Sequence, residues 1–177
     1  VITRRKEGQN YYDCIDGVHY HRVDHGLSEN DVQCMDYMCK AMAHRFHEVT
    51  SMVGKFEIVH AHDWLTANAM KYAMDGFGTP GVLTMHSTEY GRDGNVFFDG
   101  FARRVRDAEA AGCHSANLVI AVSNFLADEL HRIYRVPAEK IHVVPNGVHY
   151  HAFDGFIDPA EVKGRYGIAP LAPTIFS

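Results

Sequence analysis

The chain has 177 residues and a mass of 19.9 kDa, and 46% of its residues are hydrophobic and 22% are charged. This composition excludes collagenous, disordered and disulfide-scaffold proteins. A formal net charge of -5 without a basic run makes nucleic acid a poor candidate partner. No apolar run approaches the ~18 residues that cross a bilayer, so no membrane span is expected.

The cysteines occur without any C-x-x-C pair, and a domain of this size needs no disulfide bonds for its core. We therefore predict reduced thiols and a cytoplasmic protein. The four cysteines are Cys14, Cys34, Cys39 and Cys113.

Short apolar runs rich in β-branched residues alternate with longer helical segments. This pattern is typical of parallel β-α units, so we predict an α/β fold in which helices cover a parallel sheet. The predicted strands are residues 1–3, 18–23, 56–61, 82–86, 118–122 and 141–144. Four helices are predicted. The first follows an N-cap cluster at 28–31 and reaches residue 53, the second spans 63–74, the third spans 101–111, and the fourth begins at 123–124. In the first helix, a stripe of Met35, Met38, Met42 and Phe46 predicts a core-facing side.

A first group of reactive side chains follows the predicted strand 56–61. Alternation along the strand places His60 and His62 on one face, and Asp63 and Trp64 fall at the turn into the next helix. Open α/β sheets bind ligands at this edge. His60 and His62 could hold a metal ion, or His62 and Asp63 could bind the hydroxyl groups of a polar ligand. The structural alternative is that His60 is a buried, hydrogen-bonded imidazole and that Asp63 caps the helix.

A second group begins at His86, which ends the next apolar strand. A neutral imidazole at this position can donate and accept hydrogen bonds to a substrate. The residues after it have turn chemistry without periodicity, so 88–95 are predicted to form an exposed loop. Near the other end of the chain, Asn146 and Gly147 predict a turn at a domain boundary close to residue 150. Residues 151–177 would then be a linker and the start of a truncated second domain, ending in part of a strand from 173.

Four motifs, in their order and spacing, resemble the amino-terminal domain of retaining GT-B glycosyltransferases of the glycogen/starch synthase and group 1 type. The motifs are Phe-Glu-Ile-Val-His-Ala-His-Asp-Trp at 56–64, Leu-Thr-Met-His-Ser-Thr-Glu at 83–89, Ala-Asn-Leu-Val-Ile-Ala-Val-Ser at 116–123 and Ile-His-Val-Val-Pro-Asn-Gly-Val at 141–148. The resemblance covers essentially the whole chain and implies a Rossmann-like parallel sheet with helices on both faces.

The resemblance also implies roles for residues. His86 matches a cleft histidine that contacts the transferred sugar, and Asp63 matches a polar residue beside the reaction centre, so both are predicted to be catalytic. His149 departs from the aspartate that is usual in the family, which leaves the role of that position open. Predicted substrate-binding residues are His62, Trp64, Ser87, Thr88, Glu89, Tyr90 and Asn146.

In function, the resemblance implies the acceptor-side domain of an enzyme that moves a hexose from a nucleotide diphosphate sugar to a glycan or other hydroxyl acceptor. No metal and no cofactor are expected at the reaction centre. Family members have a further first strand with a Gly-rich loop and a carboxyl-terminal domain that binds the donor. We expect this chain to lack both, to be inactive alone, and to need a companion chain or an oligomer to complete its sheet.

Two other functions remain open on the sequence. One is a metal-dependent hydrolase that uses His60, His62 and Asp63, and the other is a non-catalytic carbohydrate-binding module. Nucleophile-elbow, Walker and Gly-x-Gly-x-x-Gly motifs are absent, which disfavours acyl-enzyme chemistry and nucleoside triphosphate hydrolysis.

Overall fold

The structure, a computed structural model, describes residues 1–24 and 32–175. The chain forms two compact units, Val1–Pro145 and Asn146–Ser177. The strands of the first unit are β1 Ile2–Arg4, β2 Tyr12–Ile15, β3 Val18–Val23, β4 Val59–His62, β5 Gly81–Met85, β6 Leu118–Ala121 and β7 Ile141–Val143. Its α-helices are α1 Val32–Val53, α2 Asp63–Phe77, α3 Glu89–Arg92, α4 Phe101–Ser115 and α5 Asn124–Arg132, and a 3-10 turn covers Ala138–Lys140.

The larger sheet is parallel and has the strand order β4-β5-β6-β7. Its strands are apolar because helices flank the sheet, and Leu83, Met85 and Val119 are fully buried. Ala67 and Met70 of α2 and Cys113 of α4 join the same core. The predicted α/β fold with a parallel sheet is confirmed.

The long helix α1 packs against α2 and the smaller sheet. Met35, Met38, Met42 and Phe46 are all buried, which confirms that the methionine stripe faces the core. The predicted N-cap cluster at 28–31 lies outside the described residues. Cys14, Cys34, Cys39 and Cys113 are free thiols. In the described part of the chain, no helix has the length and apolar character that a membrane crossing requires.

The smaller sheet corrects the sequence prediction. It has the order β1-β3-β2, and β2, which was not predicted, runs antiparallel to β3. Ile15 pairs with Val18, so Asp16 and Gly17 form a two-residue turn with φ of 51° and 79°. Positive φ at both positions is the requirement of a type I′ hairpin turn, and Asp-Gly is a characteristic sequence for it. That dipeptide was therefore a usable signal for β2.

The two sheets do not hydrogen-bond to one another. Among the described residues, no strand pairs with the outer side of β1 or the outer side of β4. A cavity of about 1220 Å³ lies between these two strands, here called the β1/β4 groove. Its lining is mainly apolar and includes Val1, Met42, Phe46, Ile58, Ala61 and Met70. The companion chain or oligomer that would complete the sheet remains a prediction.

The second unit is small. It contains a 3-10 turn, Tyr150–Phe153, and the helix α6, Pro159–Arg165. Asp158 caps α6 by accepting the backbone N–H of Ala160 at 2.8 Å. Residues 173–175 are not a strand, and residues 176–177 of the predicted strand lie outside the described residues.

Candidate active site

The carboxyl ends of β4 and β5 bring the two predicted groups of side chains together. The strands pair His62 with Thr84, so His86 lies just beyond its own strand and next to His62. Nδ1 of His62 and Nε2 of His86 are 3.1 Å apart, which is hydrogen-bonding distance. The rings are stacked, with centroids 5.4 Å apart. Both imidazoles are exposed to solvent, so a ligand can reach them.

His60 extends this row of imidazoles. Its ring stacks on that of His62 with centroids 4.6 Å apart, and its Nε2 lies 2.7 Å from the hydroxyl of Thr84. Partial shielding of the ring from solvent lowers the pKa of His60, and the neighbouring His62 and His86 lower it further, although the residue as a whole is exposed. His60 is therefore hydrogen-bonded, as the structural alternative expected, but it is exposed rather than buried.

Asp63 connects the ends of the two strands. Its Oδ1 accepts the backbone N–H of His86 at 2.9 Å, and the residue has a φ of 54° in the left-handed region. Asp63 does not cap α2, because the N-cap position is His62 and no side-chain cap is present there. Thr66 instead donates its hydroxyl to the carbonyl of His62 at 2.7 Å. The carboxylate of Asp63 thus fixes the backbone from which the imidazole of His86 projects.

The stability of variants at Asp63 should follow how well the new residue tolerates a left-handed backbone conformation. We expect Asp63→Asn to retain stability, because asparagine adopts positive φ and its amide oxygen can accept the N–H of His86. Asp63→Gly loses only the hydrogen bond, at about 1 kcal/mol, whereas Asp63→Ala adds backbone strain and should cost about 2–3 kcal/mol. Urea unfolding of the three variants measures these differences. Equal losses for glycine and alanine would mean that the backbone conformation contributes nothing.

The segment after His86 differs from the predicted exposed loop. Residues 89–92 form α3, and Thr88, only 1% exposed, caps it by accepting the N–H of Gly91 at 3.0 Å. The loop prediction was wrong here, because short helices carry no periodicity that a sequence pattern can reveal. The hydroxyl of Thr88 is used inside the protein. Ser87, Glu89 and Tyr90 are partly exposed beside it.

The remaining predicted residues lie elsewhere. Trp64 is partly buried and packs against the core cluster of α1 that contains Met35, Met38 and Met42. Asn146 belongs to the second unit. Substrate contacts by these residues stay predictions. In the two described stretches, no three or more His, Cys, Asp or Glu side chains are grouped so that they could hold a metal ion.

Sequence reasoning missed two buried acids beneath α3. Glu109 of α4 is 0% exposed, and Glu129 of α5 is 6% exposed. A signal existed for both. Glu109 is four residues after the buried Val105 and three before Gly112, and Glu129 is three after Leu126, so both acids fall on the core faces of their helices.

Comparison with known proteins identifies relatives. Residues 1–151 match the model of the family described as Glycosyltransferase Family 4. The chain is 28% identical over 143 residues to an uncharacterized glycosyltransferase of Methanocaldococcus jannaschii, covering 81% of this chain and 36% of that protein. It is 34% identical over 130 residues to the D-inositol 3-phosphate glycosyltransferase of Jonesia denitrificans, covering 71% and 30%. The chain thus spans about a third of the length of these relatives.

Solved structures agree on the fold. Sucrose-phosphate synthase from Thermosynechococcus elongatus superposes with a TM-score of 0.71 at 15% identity, over 94% of this chain and 42% of that chain. The catalytic domain of starch synthase IV from Arabidopsis thaliana, bound to ADP and acarbose, gives a TM-score of 0.55 at 19% identity, over 84% and 38%. These neighbours have the GT-B fold, and the predicted resemblance is confirmed. Since the family model covers residues 1–151, the chain belongs to glycosyltransferase family 4.

Proposed function

We propose that this chain is the acceptor-side domain of a retaining glycosyltransferase, which moves a hexose from a nucleotide diphosphate sugar to a hydroxyl group of a glycan or other acceptor. The observation that carries this proposal is the hydrogen-bonded pair of His62 and His86, anchored by Asp63 at the carboxyl edge of the sheet. Membership of family 4 supports a transferase over a metal-dependent hydrolase. Relatives named glycogen synthase and starch synthase support a carbohydrate product.

In the proposed reaction, the bond between the hexose and the diphosphate breaks, and the acceptor oxygen bonds to the same carbon with the same anomeric configuration. The proton of the acceptor hydroxyl passes to the leaving diphosphate. His86 acts as a catalytic residue. Its Nε2 is engaged by His62, which leaves Nδ1 for a hydroxyl group of the transferred sugar. A hydrogen-bond donor placed where charge develops in the transition state accelerates the reaction more than a hydrogen-bond donor that stabilises the bound substrate. Asp63 assists by fixing the backbone of His86.

The donor is proposed to bind mainly to the part of the full-length protein outside this chain. Basic residues and helix dipoles there would neutralise the leaving diphosphate. The chain by itself should be inactive, because the reaction requires donor and acceptor to be aligned across a cleft. We propose a cytoplasmic location, which the free thiols support.

The test is an assay of the full-length gene product with a panel of nucleotide diphosphate hexoses and hydroxyl acceptors. We expect a glycoside whose anomeric proton, followed by NMR, keeps the configuration of the donor. An inverted product would overturn the retaining mechanism. Glycan binding without turnover would identify a carbohydrate-binding module instead. Hydrolysis with stoichiometric zinc that is lost in His60→Ala and His62→Ala would identify the hydrolase.

A further inference from the structure

The segment 87–92 carries three predicted substrate-binding residues that are partly exposed, Ser87, Glu89 and Tyr90, yet its regular structure is limited to the single-turn helix α3. A helix this short is not stable through its own hydrogen bonds, because the first turn is costly to form. Contacts from elsewhere must therefore fix its conformation. These contacts come from below, where the buried carboxylates of Glu109 and Glu129 meet the segment.

Glu109 provides the larger set of contacts. Its two carboxylate oxygens accept the backbone N–H of Glu89 at 3.1 and 2.9 Å, and Oε2 also accepts the hydroxyl of Tyr134 at 2.5 Å. Burial raises the pKa of Glu109, while the hydrogen bonds from Glu89, Tyr134 and Arg92 oppose the rise. A buried carboxylate tolerates little movement of its donors, because a displaced donor would leave an oxygen unpaired in the interior.

Arg92 joins the two ends of the segment to this carboxylate. Its Nη2 donates to Oε1 of Glu109 at 2.8 Å, its Nε donates to Glu89 at 2.9 Å, and its Nη1 donates to the hydroxyl of Ser87 at 2.6 Å. The guanidinium group is planar, so these partners must keep fixed relative positions. A lysine could not reproduce this geometry, since its ammonium group is a single point charge.

Glu129 supports the middle of the segment. Thr88 donates its hydroxyl to Oε2 of Glu129 at 2.5 Å, in a buried position. Gly91 packs directly above, since a Cβ there would lie only 3.2 Å from Oε1 of Glu129. Glycine is the residue that permits this close approach. Among the described residues, Oε1 has no hydrogen-bond partner, so Thr88 provides the polar contact that this carboxylate has with the segment.

We propose that Glu109 and Arg92 are positioning residues, which hold residues 87–92 in the conformation that binds the acceptor. This inference rests on the proposed function and assigns the acceptor contacts to this segment. A segment already held in its bound conformation loses less conformational entropy on binding, which increases affinity. Releasing it should raise the KM for the acceptor and leave the KM for the donor unchanged.

The experiment compares three variants of the full-length protein. Glu109→Gln keeps the shape of the side chain but replaces one acceptor oxygen with an NH2 group, and Arg92→Lys keeps the charge but loses the planar fork. Tyr72→Phe is the matched control, because it also removes a hydrogen bond from a tyrosine hydroxyl to a carboxylate, that of Asp36 at 2.7 Å, but the bond joins α2 to α1 and not to the segment. The measurements are kcat and the two KM values, together with hydrogen exchange of the Glu89 amide by NMR or mass spectrometry.

We expect Glu109→Gln and Arg92→Lys to raise the acceptor KM about tenfold, with a donor KM within about twofold of wild type. Exchange of the Glu89 amide should accelerate about tenfold or more in the same variants. Tyr72→Phe should leave both quantities within about twofold. Equal effects of all three variants would mean that Glu109 only stabilises the fold and would overturn the inference, as would an unchanged acceptor KM in Glu109→Gln. If the wild-type protein transfers no sugar, the proposed function fails, and exchange at Glu89 still decides whether the segment is held.

Discussion

Replacing His86 with alanine in the full-length protein is expected to lower kcat/KM for sugar transfer about a hundredfold or more. The variant removes an exposed imidazole from the end of β5 but leaves the backbone N–H that Asp63 accepts. The loss should therefore reflect missing stabilisation of the transition state and not a change in the fold. Initial rates at varied donor and acceptor concentrations, with unfolding measured on the same samples, separate the two causes.

Two further histidine variants make this experiment specific. His44→Ala removes an imidazole that is 77% exposed on α1, away from the candidate site, and should keep activity within about twofold. The kcat/KM of His62→Gln should lie between those of His86→Ala and His44→Ala, at about a tenfold loss from wild type. The reason is that an amide can still hydrogen-bond Nε2 of His86. Wild-type activity in His86→Ala would show that the assignment of His86 as a catalytic residue is wrong.

Burial of the β1/β4 groove by an added strand is expected to have the largest effect on the free energy of unfolding of the protein. We propose that a β-strand from the remainder of the full-length polypeptide lies in this groove and pairs with the outer sides of β1 and β4, where no strand of the described residues pairs. Unpaired strand edges beside an apolar surface are unfavourable in water and prone to association. The aligned part of this chain covers only 36% and 30% of two relatives in the family, so a longer polypeptide is expected to provide such a strand.

A matched pair of substitutions on α1 tests this proposal. Met52 lines the groove and is 66% exposed, whereas Tyr37 is 61% exposed on the same helix and is not among the groove residues. In the 177-residue chain, Met52→Gln and Tyr37→Gln should each change stability by less than about 0.5 kcal/mol. In the full-length protein, Met52→Gln should cost about 1–3 kcal/mol, because the side chain would be buried beneath the added strand.

Hydrogen exchange of peptides from α1 and β4 measures the stability change that Met52→Gln and Tyr37→Gln cause in the 177-residue chain and in the full-length protein. If Met52→Gln behaves like Tyr37→Gln in the full-length protein, the groove is open to solvent and the proposal is wrong. Sedimentation of the 177-residue chain distinguishes a second copy as the occupant, since its association would then depend on concentration.

The parallel sheet and the meeting of His62, Asp63 and His86 could be predicted from the sequence for one physical reason. Parallel strands that are covered by helices read as apolar runs, and their carboxyl ends all lie at one edge of the sheet. Polar residues directly after two such runs must therefore come close together. The stacking of His60 on His62 likewise follows from the alternation of side chains along β4.

The structure beneath the segment 87–92 could not be predicted in the same way. Its conformation depends on Glu109 and Glu129, which lie 20 and 41 residues away from their partners Glu89 and Thr88. Both acids occupy core-facing helix positions, but a sequence pattern does not distinguish a buried, satisfied carboxylate from an exposed one at the edge of the apolar face. The gap beside β1 was expected, whereas the hairpin of β2 was missed although Asp16 and Gly17 marked it.

The pairing of His62 with Thr84 makes the site depend on a single alignment of two strands. If β4 slid by one residue along β5, its imidazoles would turn to the opposite side of the sheet and Asp63 would lose its hold on His86. The contact between His62 and His86 therefore exists only while this one alignment of β4 and β5 is intact. Gradual heating should leave that contact in place until β4 and β5 separate.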